Sequence, residues 1–442
     1  MSEIRRPRLP LLLLSLLLPL LLSAACVPPA ASDAGAAQSF DLGQYVVGPL
    51  GAVVVGPDED IHIRSMAVLT SIGDLGSSMQ RAVAMAVADY GPIQGHNVNL
   101  GAGLDSLCTP EGGAAAADTV TGDRRVVGVI GTSCSAAAVA ASPIISEAGL
   151  VMVSPSNTAP SLTSDLRGNA GSNHHPGYFR TSNNDLYEAE AVAEFAYDDL
   201  GLRSMAVIHD GDPYTSGLAG AFAAAFEEHG GSVAVATVNK GDTEMVPVLT
   251  ELAAGSPDGL FLPLFPAEGA HVIQQVGQVA GLDGTTVIGG AALLDFSVLN
   301  LPESEGIYFS APELQFEHNV NEATGMSGHD LHAAYEEIYN EAPTSVYLAH
   351  AYDAATILLH AIEEVAVVSG DSLYIDRARL RAALTATHDF EGMIGALTCD
   401  RFGDCGTGHL RIVHHTDAAI TDLESLPIVY FHLHDEHDES GH

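Results

Sequence analysis

Residues 126–163 read VVGVIGTSCSAAAVAASPIISEAGLVMVSPSNTAPSLT. The stretch opens on a short apolar run, 126–130, and passes through a polar step into an Ala-rich segment with helical spacing, 135–147. A second apolar run, 150–153, leads into a loop rich in Ser, Asn and Pro. Apolar runs alternating with a helix in this way are typical of βαβ units in a parallel sheet. The stretch therefore predicts an α/β fold.

The same alternation extends in both directions and restarts after Arg180. Two successive series of similar size, followed by further helices, predict two α/β lobes. Predicted strands are 63–69, 98–101, 126–130, 150–153, 205–209, 232–237, 259–262, 286–289, 307–310, 409–414 and 428–432. Predicted helices are 77–90, 111–121, 135–147, 186–200, 216–229, 245–253, 267–280, 328–340, 344–366 and 376–387.

Composition and charge exclude several function classes. Hydrophobic side chains make up 47% of the 442 residues, which excludes a disordered chain. Against 56 Asp and Glu stand 16 Lys and Arg, and the formal net charge of −40 argues against nucleic acid as a partner. The sequence contains no GxGxxG, P-loop or GxSxG motif, so no cofactor is predicted.

Residues 1–25 have the layout of a secretory signal, with an Arg-rich start and an apolar stretch over 9–22. Small residues then lead to Cys26, which resembles the lipidation site of a bacterial lipoprotein, although Ser23 stands where Leu is usual. We expect an extracytoplasmic protein anchored to the bacterial cell membrane by a lipid on Cys26. Residues 26–61 are then a tether and lead-in. Ordinary secretion with a free Cys26 is the alternative.

Four further cysteines, an even number, favour two disulfides in an exported chain. Cys399 and Cys405 flank a turn-rich segment, DRFGD, and can close a tight hairpin, which leaves Cys108 and Cys134 for the other bridge. A metal site is the alternative. No CxxC spacing and no neighbouring His supports it.

Polar residues follow two predicted strands that are neighbours in the sequence. GTSCS at 131–135 follows the first, and SPSNT at 154–158 follows the second. Ligands of parallel sheets bind beyond the carboxyl ends of the strands, often at helix N-termini. Hydroxyls and free N–H groups there suit a small carboxylate, although such residues also serve simply as caps and turns.

The quoted stretch resembles the periplasmic Leu/Ile/Val-binding proteins of branched-chain amino acid ABC transporters. SMAVIHDGDPYTSGLAGAFAAAFEEHGGSV at 204–233 and GLDGTTVIGG at 281–290 resemble the second lobe of that family. The resemblance extends over roughly residues 62–435. It implies two Rossmann-like lobes, the periplasmic-binding-protein type I fold, joined by three crossover segments around a ligand cleft. The N-terminal lobe would be 62–181 plus 310–390, the C-terminal lobe 182–309 plus 391–436, and 437–442 a polar tail.

The resemblance also assigns a ligand site. It implies that the side chains of Ser135 and Thr158, with backbone groups of Ser156, hold the carboxylate of the ligand, and that Cys108 and Cys134 form the disulfide of the first lobe. Tyr214 and Phe265 would lay aromatic rings over the ligand. Leu75 would form a wall against its side chain.

One position departs from the family pattern. Ala291, in VIGGAALLD, stands where the family has an acidic residue that holds the ligand ammonium. A buried ammonium without a carboxylate loses a charge-assisted hydrogen bond and keeps its desolvation cost. Candidates to replace that acid are Asp210, Asp212, Glu268 and Asp295.

These observations predict a solute-binding protein rather than an enzyme. It would capture an aliphatic amino acid or a related carboxylate by lobe closure and deliver it to the permease and ATPase of an ABC importer. The alternative is a two-lobed sensor, without a transport role, for an amide, a urea-like compound or an aromatic acid. A secreted hydrolase lacks the required spacing of nucleophile, base and acid. The His-rich end, from His432 onward, reads as a solvated tail, with an incidental metal site as the alternative.

Overall fold

Parallel strands separated by helices build the molecule, as the alternating sequence predicts. The computed structural model describes residues 41–42, 45–70, 75–314, 316 and 318–432. Its strands are β1 Asp41–Leu42, β2 Tyr45–Val46, β3 Ala52–Val55, β4 Ile61–Ala67, β5 Val98–Asn99, β6 Leu104–Asp105, β7 Val126–Gly131, β8 Val151–Ser154, β9 Tyr178–Arg180, β10 Ser204–His209, β11 Ser232–Thr237, β12 Gly259–Leu262, β13 Thr286–Gly289, β14 Tyr308–Pro312, β15 Val367–Ser369, β16 Ser372–Asp376, β17 Phe390–Gly392, β18 Gly395–Leu397, β19 Leu410–His414 and β20 Ile428–His432.

The helices lie mostly between these strands in the chain. They are α1 Leu75–Tyr90, α2 Pro110–Gly122, α3 Ser135–Glu147, α4 Asp185–Glu194, α5 Pro213–Glu228, α6 Val246–Ala253, α7 Pro266–Val276, α8 Phe296–Leu299, α9 Gly328–Tyr339, α10 Leu348–Val365 and α11 Arg377–Thr385. No helix of the described ranges is both long and apolar enough to cross a membrane.

The first sheet is parallel and has the order β5-β4-β7-β8-β9, with β6 also beside β4. Every residue of β7 and β8 is buried, as expected for central strands covered on both faces. Helix α3 packs on β8, and α10 packs on β7 and β8.

The second sheet has the order β11-β10-β12-β13-β14-β19-β20. Its first five strands run parallel, and β19 and β20 are added antiparallel at the end. One parallel sheet and one mostly parallel sheet, with crossover helices, confirm the predicted α/β class.

The segments that connect the two sheets lie between β9 and β10, between β14 and α10, and between α11 and β19. The described residues nevertheless form one compact unit. An apolar cluster joins Val68 and Cys134 of the first sheet's side to Tyr214, Phe222 and Phe265 of the second. The two sheets are therefore brought together at their carboxyl ends.

Both predicted disulfides are present. Cys108 is bonded to Cys134, which ties the loop before α2 to the start of α3. Cys399 is bonded to Cys405 and closes a short loop after β18. Cys26 lies outside the described residues.

The structure corrects several predicted elements. The predicted helix 186–200 is α-helical only to Glu194 and continues as a π-helical turn, Phe195–Asp199. The predicted helix 344–366 begins at Leu348, because the Ser345 hydroxyl accepts the Tyr347 N–H over 3.1 Å and turns the chain before the helix. The predicted helix 267–280 ends at Val276.

The sequence analysis did not predict a small antiparallel sheet with the order β15-β16-β3. Its strands are three to five residues long and two of them lie between helices, where short alternation is a weak signal. Strand β3 brings part of the predicted lead-in, 26–61, into the fold.

Candidate functional site

A cavity with an empty volume of about 620 Å³, partly open to solvent, lies where the carboxyl ends of the two sheets meet. All seven residues predicted as ligand contacts line it: Leu75, Ser135, Ser156, Thr158, Tyr214, Phe265 and Ala291. The segments that directly follow β7, β8, β10, β12 and β13, including the first turns of α3 and α5, supply six of them, and the start of α1 supplies Leu75. The structure thus brings the predicted residues together; their role toward a ligand stays a prediction.

One end of the cavity is the N-terminus of α3. Cys134, at the N-cap, makes no capping hydrogen bond with its side chain, and the first helical bond runs from the Ala138 N–H to the Cys134 carbonyl. The N–H groups of residues 135–137 therefore have no acceptor within the helix. Such a helix end favours an anion.

Hydroxyl groups fix the two loops that surround this helix end. The Ser154 hydroxyl donates to the Thr132 carbonyl over 3.0 Å and accepts the Asn157 N–H over 3.0 Å. The Ser156 hydroxyl donates to the Ser133 carbonyl over 3.0 Å. These bonds hold the loop after β8 against the loop after β7.

Aromatic rings form the opposite wall. Tyr214 and Phe265 lie with ring centroids 5.3 Å apart and are both nearly buried. The segment before α10 adds Val346 and Tyr347, which the sequence analysis did not identify. Their loop belongs to a crossover, where neither periodicity nor a motif marks a site.

The wall at Ala291 has a carboxylate behind it. The Ala291 N–H donates to Oε1 of Glu188 over 3.0 Å, and the Ser310 hydroxyl donates to the same oxygen over 2.7 Å. Asp185, one turn earlier on α4, is fully buried next to Glu188. Neither Oε2 of Glu188 nor the carboxylate of Asp185 has a well-formed hydrogen bond among the described residues.

Burial raises the pKa of both carboxyl groups, and for Asp185 the neighbouring Glu188 raises it further. The Thr158 side chain lies close enough to Asp185 to favour its ionised form and partly opposes that shift. Burial also raises the pKa of Tyr214 and Tyr347, and the negative charges of Glu188 and Asp185 raise it further. The two acids are thus electrostatically connected to three residues that line the cavity.

The sequence analysis placed Asp185 just before the predicted helix 186–200 and assigned no role to Glu188 within it. Their spacing of three residues puts both carboxyl groups on one face of the first turn of α4, and this spacing is the signal that could have found them. Such a pair buried beside a cleft marks a candidate functional position.

The acids considered from the sequence lie differently. Asp295 lines the cavity and caps α8 through the Ser297 N–H. The other three are not among the lining residues, and each has polar partners: Glu268 with Gly241, Asp210 with Thr215, and Asp212 with Lys240.

A metal site receives no support from the described residues, which contain no group of three or more His, Cys, Asp or Glu able to hold an ion. The polar tail, 437–442, lies outside those residues.

Comparisons with known proteins agree with this architecture. A family model described as "Periplasmic binding protein" matches residues 69–413. The Leu/Ile/Val-binding protein homolog 3 of Brucella melitensis is 28% identical over 375 residues, which cover 83% of this chain and 94% of the relative.

Two solved structures have similar folds. A leucine binding protein of Thermotoga maritima has a TM-score of 0.71 at 23% identity, with 84% of this chain and 98% of that chain covered. An ABC-transporter solute binding protein of R. palustris, in complex with benzoate, has a TM-score of 0.67 at 18% identity, covering 84% and 96%. The chain therefore shares the two-lobed fold of these proteins.

Proposed function

This chain belongs to the periplasmic binding protein family, and from that premise we propose that it captures a small solute between its two lobes and delivers it to an ABC importer. The family is one of extracytoplasmic binding proteins rather than enzymes. The observation that supports the proposal best is that one cavity is lined by residues that follow strand ends of both sheets. A solute that contacts both sides stabilises the closed arrangement over an open one.

The ligand class that fits the cavity is an aliphatic amino acid. Its carboxylate would lie at the N-terminus of α3, beside Ser135 and Thr158. Its ammonium would lie at the Ala291 wall, close to the carboxyl groups of Asp185 and Glu188. A carboxylate next to an ammonium forms a charge-assisted hydrogen bond.

The lobe limits remain part of this proposal. They are 62–181 plus 310–390 for the N-terminal lobe, and 182–309 plus 391–436 for the C-terminal lobe. Strand β14 continues the second sheet to Pro312, so the second crossover would start after that residue.

A second ligand class is a carboxylate without an amine. Ala291 supports it, because its own side chain offers no partner for an ammonium. Aliphatic or aromatic acids would use the helix end and the aromatic wall alone. The B. melitensis relative is named for leucine, isoleucine and valine, whereas the R. palustris protein holds benzoate.

A ligand panel tests the proposal and separates the two classes. The mature chain with Cys26→Ser would be melted in a calorimeter with L-leucine, L-isoleucine, L-valine, 4-methylpentanoate and benzoate, because a chain without Trp gives no tryptophan fluorescence to follow. A solute at 100 times its Kd adds about 2.7 kcal/mol to the free energy of unfolding. Stabilisation by the amino acids alone supports the first class, and stabilisation by the acids alone supports the second. No stabilisation by any of the five contradicts both.

A lipid anchor on Cys26 completes the proposal. The signal-like layout of 1–25 supports it. The anchor would keep the binding protein at the membrane, near its permease and ATPase.

A further inference from the structure

The loop closed by Cys399 and Cys405 packs backbone to backbone against the first crossover. The Arg180 N–H donates to the Gly403 carbonyl over 2.8 Å, and the Cys405 N–H donates to the Arg180 carbonyl over 3.0 Å. A Cβ on Gly403 would lie 2.1 Å from the Tyr178 carbonyl oxygen. The loop thus continues the hydrogen bonding of β9 at the point where the chain leaves the first sheet.

This loop presents Asp404 to a fully buried guanidinium. The Arg180 Nε donates to Oδ1 of Asp404, while Oδ2 accepts the Asn184 side-chain N–H over 3.2 Å and the Ser164 hydroxyl over 3.4 Å. The Arg180 side chain is 0% exposed, and that of Asp404 is 12% exposed. Asp404 is therefore the carboxylate that neutralises this buried charge directly.

The other end of the same guanidinium holds a wall of the cavity. Arg180 Nη1 donates to the carbonyls of Asn157 and Ala159 over 3.1 and 3.0 Å, and Nη2 donates to the Thr163 hydroxyl over 2.6 Å. Thr158, which lines the cavity, lies between the two carbonyls. The position of Arg180 thus fixes the backbone on both sides of Thr158.

We infer that Arg180 and Asp404 are positioning residues of the ligand cavity, and that the Cys399–Cys405 disulfide keeps Asp404 in its place. Without the Asp404 charge, the buried guanidinium loses the carboxylate bonded to it and keeps only the more distant charge of Asp185, so it moves toward water or admits water. It then releases the carbonyls that flank Thr158. This inference rests on the proposed function, because it assigns to the 157–159 backbone a role in ligand affinity.

The test compares Asp404→Asn and the double variant Cys399→Ser/Cys405→Ser with the unchanged mature chain. The double variant keeps Asp404 and loses only the bridge. Asp123→Asn is the matched control, because it removes Arg–Asp pairs with Arg64, at 3.2 Å, and with Arg125, at 2.9 Å, just before the amino end of β7 and away from the cavity. L-leucine affinity is measured by titration calorimetry well below the melting temperature, and hydrogen exchange of residues 154–164 is measured without ligand.

We expect Asp404→Asn to weaken L-leucine binding at least tenfold and to speed exchange of 154–164. The double variant should also weaken L-leucine binding and speed the exchange of 154–164, by smaller factors. Asp123→Asn should change neither the affinity nor the exchange. A lower melting temperature with unchanged affinity and unchanged exchange, in both Asp404→Asn and the double cysteine variant, would overturn the inference and leave the proposed function standing. If the unchanged chain takes up no L-leucine, the proposed amino acid ligand fails, and exchange of 154–164 alone decides the positioning role.

Discussion

The backbone N–H of Ala291 donates a hydrogen bond to Oε1 of Glu188 over 3.0 Å. Ala291 stands where the family resemblance places an acidic side chain. The carboxylate at this wall therefore comes from the first turn of α4 and not from the loop after β13. Its second oxygen, Oε2, has no hydrogen-bond partner among the described residues. A buried acceptor without a partner is costly, and a ligand N–H would relieve that cost.

Replacing Glu188 by Gln tests this position. The amide keeps an oxygen for the Ala291 N–H and the Ser310 hydroxyl, but it removes the negative charge. We expect L-leucine to bind about 10- to 100-fold more weakly, since a hydrogen bond to a charged group contributes about 1.5–3 kcal/mol. Binding of 4-methylpentanoate, which has no amine, should change little. Titration calorimetry with both solutes measures the difference.

Glu190→Gln is the matched control. Glu190 lies two residues further along α4, where its partly exposed side chain bonds to His229 over 3.2 Å. Its replacement should leave both affinities unchanged. Equal losses for L-leucine and 4-methylpentanoate in Glu188→Gln would contradict a role in holding the amine.

At the N-terminus of α3, where the carboxylate of the solute would lie, a substitution should affect both solutes equally. Ser135→Ala removes a hydroxyl beside the N-terminus of α3, and it should weaken L-leucine and 4-methylpentanoate alike by about 1–3 kcal/mol. Ser142→Ala is the control, because Ser142 is also buried on α3 but does not line the cavity. Calorimetric titration measures both variants. Unchanged affinity in Ser135→Ala would remove the helix end from the ligand site.

Cys26 predicts where the protein is found in the cell. A lipid-anchored chain fractionates with membranes, and Cys26→Ser should move it to the soluble extracytoplasmic fraction. Immunoblots of the fractions and the intact mass of the mature chain measure this. An unmodified Cys26 in the mature chain would support ordinary secretion.

The fold was predictable because its signals are local and repeated. Strands β11, β12, β13 and β20 and helix α3 have the predicted limits, since apolar runs bounded by turn residues mark them clearly. Short strands such as β15 and β17 carry three residues each, too few for a period to show.

The cavity was predictable in part. Ser135 and Thr158 lie in polar segments directly after strands, where parallel sheets bind ligands, whereas Tyr214 was identified only through the family resemblance. Asp185 and Val346 belong to crossovers, and their approach to the cavity depends on how the two sheets are joined. Contacts of that kind depend on tertiary packing, which no local sequence pattern encodes.

The burial of Asp353 predicts that the stability of the folded chain depends on pH. This residue is fully buried on α10, where its carboxylate accepts the N–H groups of Met393 and Ile394 over 3.0 and 2.9 Å and the Asn321 side-chain N–H over 2.9 Å. Burial raises its pKa from 3.8 to about 6, although these three donors oppose the shift. The folded state therefore keeps a proton on Asp353 at pH values where the unfolded chain has already lost it.

The free energy of unfolding should consequently fall as the pH rises from about 4 to about 6, by about 3 kcal/mol from this group at 1.36 kcal/mol per pKa unit. Asp353→Asn removes the titrating group. The difference between the free energies of unfolding of the two chains, measured with urea at several pH values, therefore gives the contribution of Asp353. The variant is expected to be the less stable chain at low pH, because its amide N–H groups face the backbone donors of residues 393 and 394. The difference in free energy of unfolding between the two chains should become smaller toward pH 7. Asp371→Asn, at an exposed turn position between β15 and β16, is the control. Its free energy of unfolding should change with pH in the same way as that of the unchanged chain. A gap that stays constant from pH 4 to 7 would mean that Asp353 remains ionised in the folded protein, held so by its three N–H donors.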